Sequence, residues 1–130
     1  LPPTMKAAIE DCGYSSAYTI LAHQLEAAFG LPAFPIMAFV DFACKKRAGF
    51  SLREANPLEA VQEARVPMLF IHGDADTLVP PTMCWELYEN CHASRKDYFS
   101  VPNAGHAVAC QKYPDLYYQK IFGFLKPLMQ

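Results

Sequence analysis

No run of about 18 or more apolar residues occurs in the 130-residue chain, so no segment of it reads as a bilayer-spanning helix. Basic residues gather only at Lys45-Lys46-Arg47, and the formal net charge is −2. Neutralising nucleic-acid phosphates takes a clustered positive face, so no nucleic-acid partner is expected. The five cysteines (Cys12, Cys44, Cys84, Cys91 and Cys110) include no C-x-x-C pair. An odd, scattered set fits reduced thiols better than a disulfide scaffold. Residues 1–20 lack the basic-then-apolar layout of a signal peptide, and with reduced thiols this sets the expectation of a cytoplasmic protein. Cys84, Cys91, His92 and His106 match no zinc-finger or ribbon spacing, so Cys84 and Cys91 read as buried structural thiols and no metal or cofactor is expected. Internal repeats and low-complexity segments are also missing.

What is present is a core. The chain is 52% hydrophobic and 18% charged, with nine Phe and seven Tyr, and it is long enough to fold as one modest domain. Met5–Glu10 is short and apolar and ends at Asp-Cys-Gly, which reads as a strand. Residues 16–29 carry Ala17, Ile20, Leu21, Leu25 and Ala28 at helical spacing, with Gly30 as a stop. Pro35 can open a second helix that closes at the basic triplet and Gly49. That helix is apolar around most of its girth, which suggests that it lies over something. Asn56-Pro57 reads as a cap followed by a first helical turn.

Val66–His72 is nearly continuous in apolar residues, as in a parallel strand buried on both faces. A helix over Thr82–Cys91, a strand over Asp97–Val101 and an amphipathic helix over Asp115–Leu128 complete the series. Strands alternating with helices in this order predict a parallel α/β sheet with right-handed crossovers.

In open parallel sheets the reactive groups sit in loops past the carboxyl ends of the strands. Two loops stand out. His72-Gly73-Asp74-Ala75-Asp76-Thr77-Leu78-Val79-Pro80 follows one strand, and Pro102-Asn103-Ala104-Gly105-His106 follows the next. If the strands are neighbours, an Asp of the first loop meets His106 of the second. A carboxylate against one ring nitrogen fixes the tautomer and stabilises the imidazolium formed in proton transfer. Gly105 is expected to let the second loop turn tightly enough to aim the ring. Asp76 has a plainer reading as a cap for the helix opening at Pro80-Pro81.

The H-G-x-x-D-x-x-V-P segment, the V-P-x-A-G-H segment and the final amphipathic helix together resemble the C-terminal part of an α/β-hydrolase. D-C-G-Y-S-S, the Pro- and Phe-rich stretch after it, R-A-G-F-S and A-N-P-L resemble the cap region of the bacterial esterase-like and acyl-peptidase-like branch. The resemblance covers essentially the whole chain. It implies an α/β fold comprising the C-terminal half of the hydrolase sheet, its last three strands with flanking helices, plus a helical cap insert. Residues 1–30 would be the strand and helix of the core, 31–64 the cap, and 65–130 the part carrying the acid and histidine loops. It also implies a Ser-Asp-His triad with Asp76 as acid and His106 as base. Asp74, the rival carboxylate, is expected to hydrogen-bond loop backbone. His72 is expected to support the loop, His23 and His92 to lie on helix surfaces, and Lys45-Lys46-Arg47 to be a solvated helix end.

The serine is the open part. Gly13-Tyr14-Ser15-Ser16-Ala17 between a strand and a helix looks like the turn that displays a nucleophilic serine, and Ser15 precedes the acid and the base in the order the superfamily uses. In that fold, however, a further strand separates the elbow from the acid-bearing strand, and none is evident between Ser16 and Val66. Ser15 or Ser16 is therefore expected to cap a helix, with the nucleophile upstream of Leu1. Cys12 as a thiol nucleophile and Asp11 as an alternative acid are weaker options. The expected activity is hydrolysis of small carboxylic esters by the intact protein, with peptide or amide cleavage as the alternative and a non-catalytic α/β fragment as the other class. The 130 residues alone are expected to be inactive, and the strand at 5–10, as a sheet edge, to associate with the missing N-terminal half or with another copy.

Overall fold

The computed structural model describes residues 4–129; the Leu-Pro-Pro opening read above lies outside them. Three parallel strands form the sheet in the order β1 (Ala8–Asp11), β2 (Met68–Gly73) and β3 (Lys96–Val101). Ala8 pairs with Met68 on one side of β2, and Met68 pairs with Lys96 on the other. The central strand is buried at all six positions, which is why its sequence runs apolar without alternation.

Successive β2 side chains feed two cores. Met68 and Phe70 pack with Val61, Cys84, Leu87 and Cys91, under helices α3 (Pro57–Gln62) and α4 (Pro81–Asn90). Leu69 and Ile71 pack with Val101, Ala104, Ala109 and Phe124, under α5 (Ala109–Lys112) and α6 (Pro114–Leu125). The expected α/β architecture is thus present, with helices on both faces of a parallel sheet. Periodicity does not reveal the short α5, and the helix expected to run to Leu128 ends at Leu125, followed by a 3₁₀ turn at Lys126–Leu128.

Helix α1 (Ala17–Phe29) is capped by Ser16, whose Oγ accepts from Thr19 N at 3.3 Å, and ends at Gly30 in the left-handed region. Its Ile20 packs on Val79 and Met83, tying α1 to α4. Helix α2 (Ala33–Ala48) has extended backbone at Phe34, as the residue before a proline prefers, so its regular turns start at Pro35. Asp41 anchors its exit, accepting from Leu52 N at 2.7 Å and from Ser51 Oγ at 2.8 Å. Its outer side is uncovered among the described residues: Phe39 is 72% and Phe42 59% exposed. Asn56 does not cap α3 as expected; its amide donates to Glu59 Oε1 instead. No helix of the described residues is long and apolar enough to cross a membrane.

Two loops at one edge of the sheet are sewn together. Asp74 N donates to Val101 O (3.1 Å), and Ala75 N donates to Ala104 O (3.0 Å). Gly73 makes this approach feasible, because a Cβ there would stand 2.2 Å from Ala104 O and 2.8 Å from Gly105 O. Both contacts are backbone, so relief requires the loops to separate. Gly73→Ala is therefore expected to destabilise the chain by about 2 kcal/mol or more, read from the midpoint shift in urea unfolding. Gly105→Ala, whose Cβ would meet only Val108 Cγ2 at 3.9 Å, is expected to be near neutral in the same assay.

Candidate functional site

The sewn loops bring an acid and a histidine together. Asp76 sits three residues past β2 and folds back on its own loop, with Oδ1 accepting from the backbone amides of Leu78 and Val79, both at 2.9 Å. It does not cap α4, whose first turn has no side-chain cap. Asp76 Oδ2 lies 2.9 Å from His106 Nδ1. The Asp76 side chain is fully buried, whereas that of His106 is 35% exposed. Burial raises the pKa of Asp76, but the amides of Val79 and Leu78 and the His106 bond outweigh it, and the carboxyl ends below its ordinary value. A carboxylate facing Nδ1 keeps the ring proton there and leaves the Nε2 lone pair free for proton transfer.

His72 completes the carboxylate's surroundings. Its Nε2 is 3.1 Å from Asp76 Oδ2 and 2.9 Å from Val79 O, two acceptors that place the proton on Nε2. The ring is wholly buried, and its Nδ1 has no hydrogen-bond partner. The expected loop support is what this residue provides, and it does so through the acid itself. Asp74 likewise takes the backbone role expected of it, accepting from Asn103 N at 2.5 Å.

Two expectations need correction. Gly105 is not the residue that aims His106: positive φ falls at Asn103 (54°) and Ala107 (53°), and the glycine on which the geometry depends is Gly73. His92 lies in the exposed loop after α4 and not on a helix, while His23 is half-buried on α1. Cys84 and Cys91 are buried as expected, and so is Cys12, whereas Cys44 and Cys110 are half-buried.

The alternatives around β1 also find their places. No strand intervenes between β1 and β2, so Ser15 is not followed by the topology that an elbow serine requires. Ser15 is buried, and its carbonyl accepts from Leu58 N. No serine hydroxyl among the described residues is hydrogen-bonded to His106. Asp11 is engaged elsewhere, accepting from Tyr117 OH at 2.7 Å and from the Cys12 thiol at 3.3 Å. Cys12 is the residue that sequence reasoning undervalued. Its Sγ accepts from Ala107 N at 3.3 Å and lies beside the Asp76–His106 pair. The parallel register of Asp11 with Ile71 puts the residue after β1 at the same sheet edge as both loops, a signal available once strand order is known. Burial pushes the Cys12 thiol up to about 11, so it is a weak nucleophile at neutral pH.

With this geometry in view, the solved structures are informative. The Pyrococcus furiosus esterase PF2001 superposes on 98% of this chain with a TM-score of 0.71, at 22% identity and over 46% of its own length. The chain has the α/β-hydrolase fold, as does the MGS-M2 α/β hydrolase from a deep-sea metagenome, which matches with a TM-score of 0.58 at 16% identity over 93% of this chain and 56% of its own. A Pyrococcus horikoshii acylaminoacyl peptidase shares this α/β-hydrolase fold over 96% of the chain and 20% of its own length, with a TM-score of 0.63 and 17% identity. The family model described as serine aminopeptidase, S33, matches residues 50–112, the stretch that includes both loops. The uncharacterized protein YqkD of Bacillus subtilis (strain 168) is 32% identical over 117 residues, covering 90% of this chain and 38% of YqkD. The chain therefore spans under two thirds of the length of each of these proteins.

Because the folded pKa of Asp76 is depressed, its contribution to stability is present above the unfolded carboxylate range, near 3.9. That contribution fades as pH falls through the folded value. Unfolding measured across the acid range is expected to show a shallower loss of stability below about pH 4 in Asp76→Asn than in the parent chain. Equal acid limbs would mean that the carboxylate carries no such linkage.

Proposed function

We propose that the intact protein is a serine hydrolase of carboxylic esters in which Asp76 and His106 are the acid and base of a Ser-Asp-His triad. The observation that supports this most directly is the hydrogen bond from His106 Nδ1 to the buried Asp76 carboxylate, at the sheet edge where parallel α/β folds gather reactive groups. In this reading the nucleophilic serine comes from chain upstream of Leu1. His106 Nε2 takes the serine proton as the hydroxyl attacks the ester carbonyl, then returns it to the departing alcohol. Water, activated by the same nitrogen, releases the acyl group. Asp76 holds the tautomer and stabilises the imidazolium in both halves. Nothing in this chemistry calls for a cofactor.

Amide or peptide cleavage is the second reading, favoured by the aminopeptidase description of the family model over residues 50–112. The machinery is common to both. Full-length protein is expected to turn over p-nitrophenyl esters, and selective cleavage of aminoacyl anilides with no ester turnover would decide for the peptidase. Asp76→Asn and His106→Ala are each expected to lower kcat in the full-length enzyme by roughly 10³–10⁴-fold. The 130-residue chain by itself is expected to resist a fluorophosphonate probe; clean labelling at Ser15 would overturn the placement of the nucleophile.

The partner reading follows from β1. Among the described residues it pairs with β2 alone, and Ile9 on it is 37% exposed. An open strand edge with apolar side chains is a template for another strand. The isolated chain is expected to self-associate or to bind the N-terminal half of the intact protein, as sedimentation velocity over a concentration series would reveal. A single monomeric species throughout would count against it.

A further inference from the structure

Cys12 is held in an unusual way for a residue that only fills space. Its backbone has φ 59°, in the left-handed region that non-glycine residues seldom adopt, and its side chain is buried. That conformation turns the thiol toward the two loops from the end of a different strand. Cys12, Asp76 and His106 each offer one donor atom within 4.8 Å of the other two. Sulfur, imidazole nitrogen and carboxylate oxygen from three separate segments thus converge on one point.

We propose that Cys12, Asp76 and His106 form a binding site for a soft divalent cation of the zinc type, and that its occupancy shuts off the His106 base. The inference rests on the geometry of these three residues and not on the hydrolase reading. The donor set selects the metal class. Thiolate and imidazole suit zinc, while magnesium and calcium take all-oxygen shells. Donors around tetrahedral zinc stand ~3.3–3.7 Å apart, given metal–ligand bonds of about 2.0–2.3 Å. Measured from the 4.8 Å bound, the cluster needs to close by up to about 1.1–1.5 Å. His106, with a 35% exposed side chain, is the freest of the three residues to move.

Charge balances as well. On binding, the Cys12 thiol proton leaves to solvent and a sulfur–metal bond forms. The thiolate and the Asp76 carboxylate together neutralise the dication, and His106 contributes through Nδ1, which gives up its hydrogen bond to Asp76 Oδ2 as the ring proton passes through solvent to Nε2. The fourth position remains for water, as in sites with three protein ligands. Cys12 Sγ gives up its hydrogen bonds with Ala107 N and Asp11 in exchange. A captured imidazole can no longer accept a proton, so the cation acts as a reversible inhibitor of any chemistry that uses His106.

Cobalt(II) titration of the chain tests this directly, since a thiolate ligand gives a near-ultraviolet charge-transfer band that zinc then abolishes by displacement. The unmutated chain is expected to develop the band and saturate at one equivalent. Cys12→Ser should remove it, and Asp76→Asn and His106→Ala should each weaken cobalt binding at least tenfold. A Cys44→Ser, Cys110→Ser double variant should keep it, because those half-buried thiols lie outside the cluster. Absence of the band in the unmutated chain, its survival in Cys12→Ser, or its loss in the double variant would overturn the proposal. Should Cys12→Ser unfold, NMR of the unmutated chain decides. The His106 ring resonances are expected to shift with zinc and stop at one equivalent, and resonances that do not move refute the site.

Discussion

A carboxylate buried as completely as that of Asp76 is tolerable only when its lone pairs are filled, and two loops and a strand are arranged to fill them. Leu78 and Val79 amides occupy one oxygen, and His106 and His72 ring nitrogens converge on the other. Removing any one donor leaves charge in a poorly solvated place, which costs more than the lost bond itself. The two histidines are not equivalent. His72 is wholly buried and locked onto Val79 O as well, so its ring serves as part of the wall. His106 stands on the opposite loop with one side exposed, so the same carboxylate that His72 braces can orient a ring able to meet another molecule.

This arrangement depends on the backbone approach beneath it. Parallel strands β2 and β3 end at the same edge, and the following loops must touch for Asp76 to reach His106. Gly73 is where they touch. A side chain there would collide with backbone and not with a flexible tip, so the absence of a Cβ is a geometric requirement for the pair. Ala104, wholly buried, then accepts from Ala75 and locks the second loop on the first. The positive-φ residues Asn103 and Ala107 supply the sharp changes of direction on either side of His106.

Much of this was legible in the residues and some of it was not. The unbroken apolar run at Val66–His72 gave the central strand because burial on both faces removes any need for alternation. The Asp76–His106 pairing followed from loop position and the resemblance, and the two side chains do meet. Gly105 was misread because glycine next to a functional histidine suggests a turn. The true constraint is a close approach between segments some thirty residues apart, which no local pattern encodes. Cys12 was undervalued for the same reason. Its neighbours are Ala107, Asp76 and His106, and only the pairing of β1 against β2 brings them together.

The same non-local logic separates the centre of the sheet from its edges. β2 is buried at every position, whereas β1 and β3, each paired with β2 alone among the described residues, are for the most part partly buried or exposed. Glu10, on β1, shows what that imbalance does. It is drawn under Gly13 and Cys84, one of its oxygens is buried without a partner, and burial pushes its carboxyl pKa upward. A carboxyl in that position is a cost to the folded chain unless a donor reaches it or it keeps its proton. Glu10 Oε1 beside β1 and His72 Nδ1 beneath the loops are thus both buried without a partner among the described residues, one on either side of the acid–histidine pair.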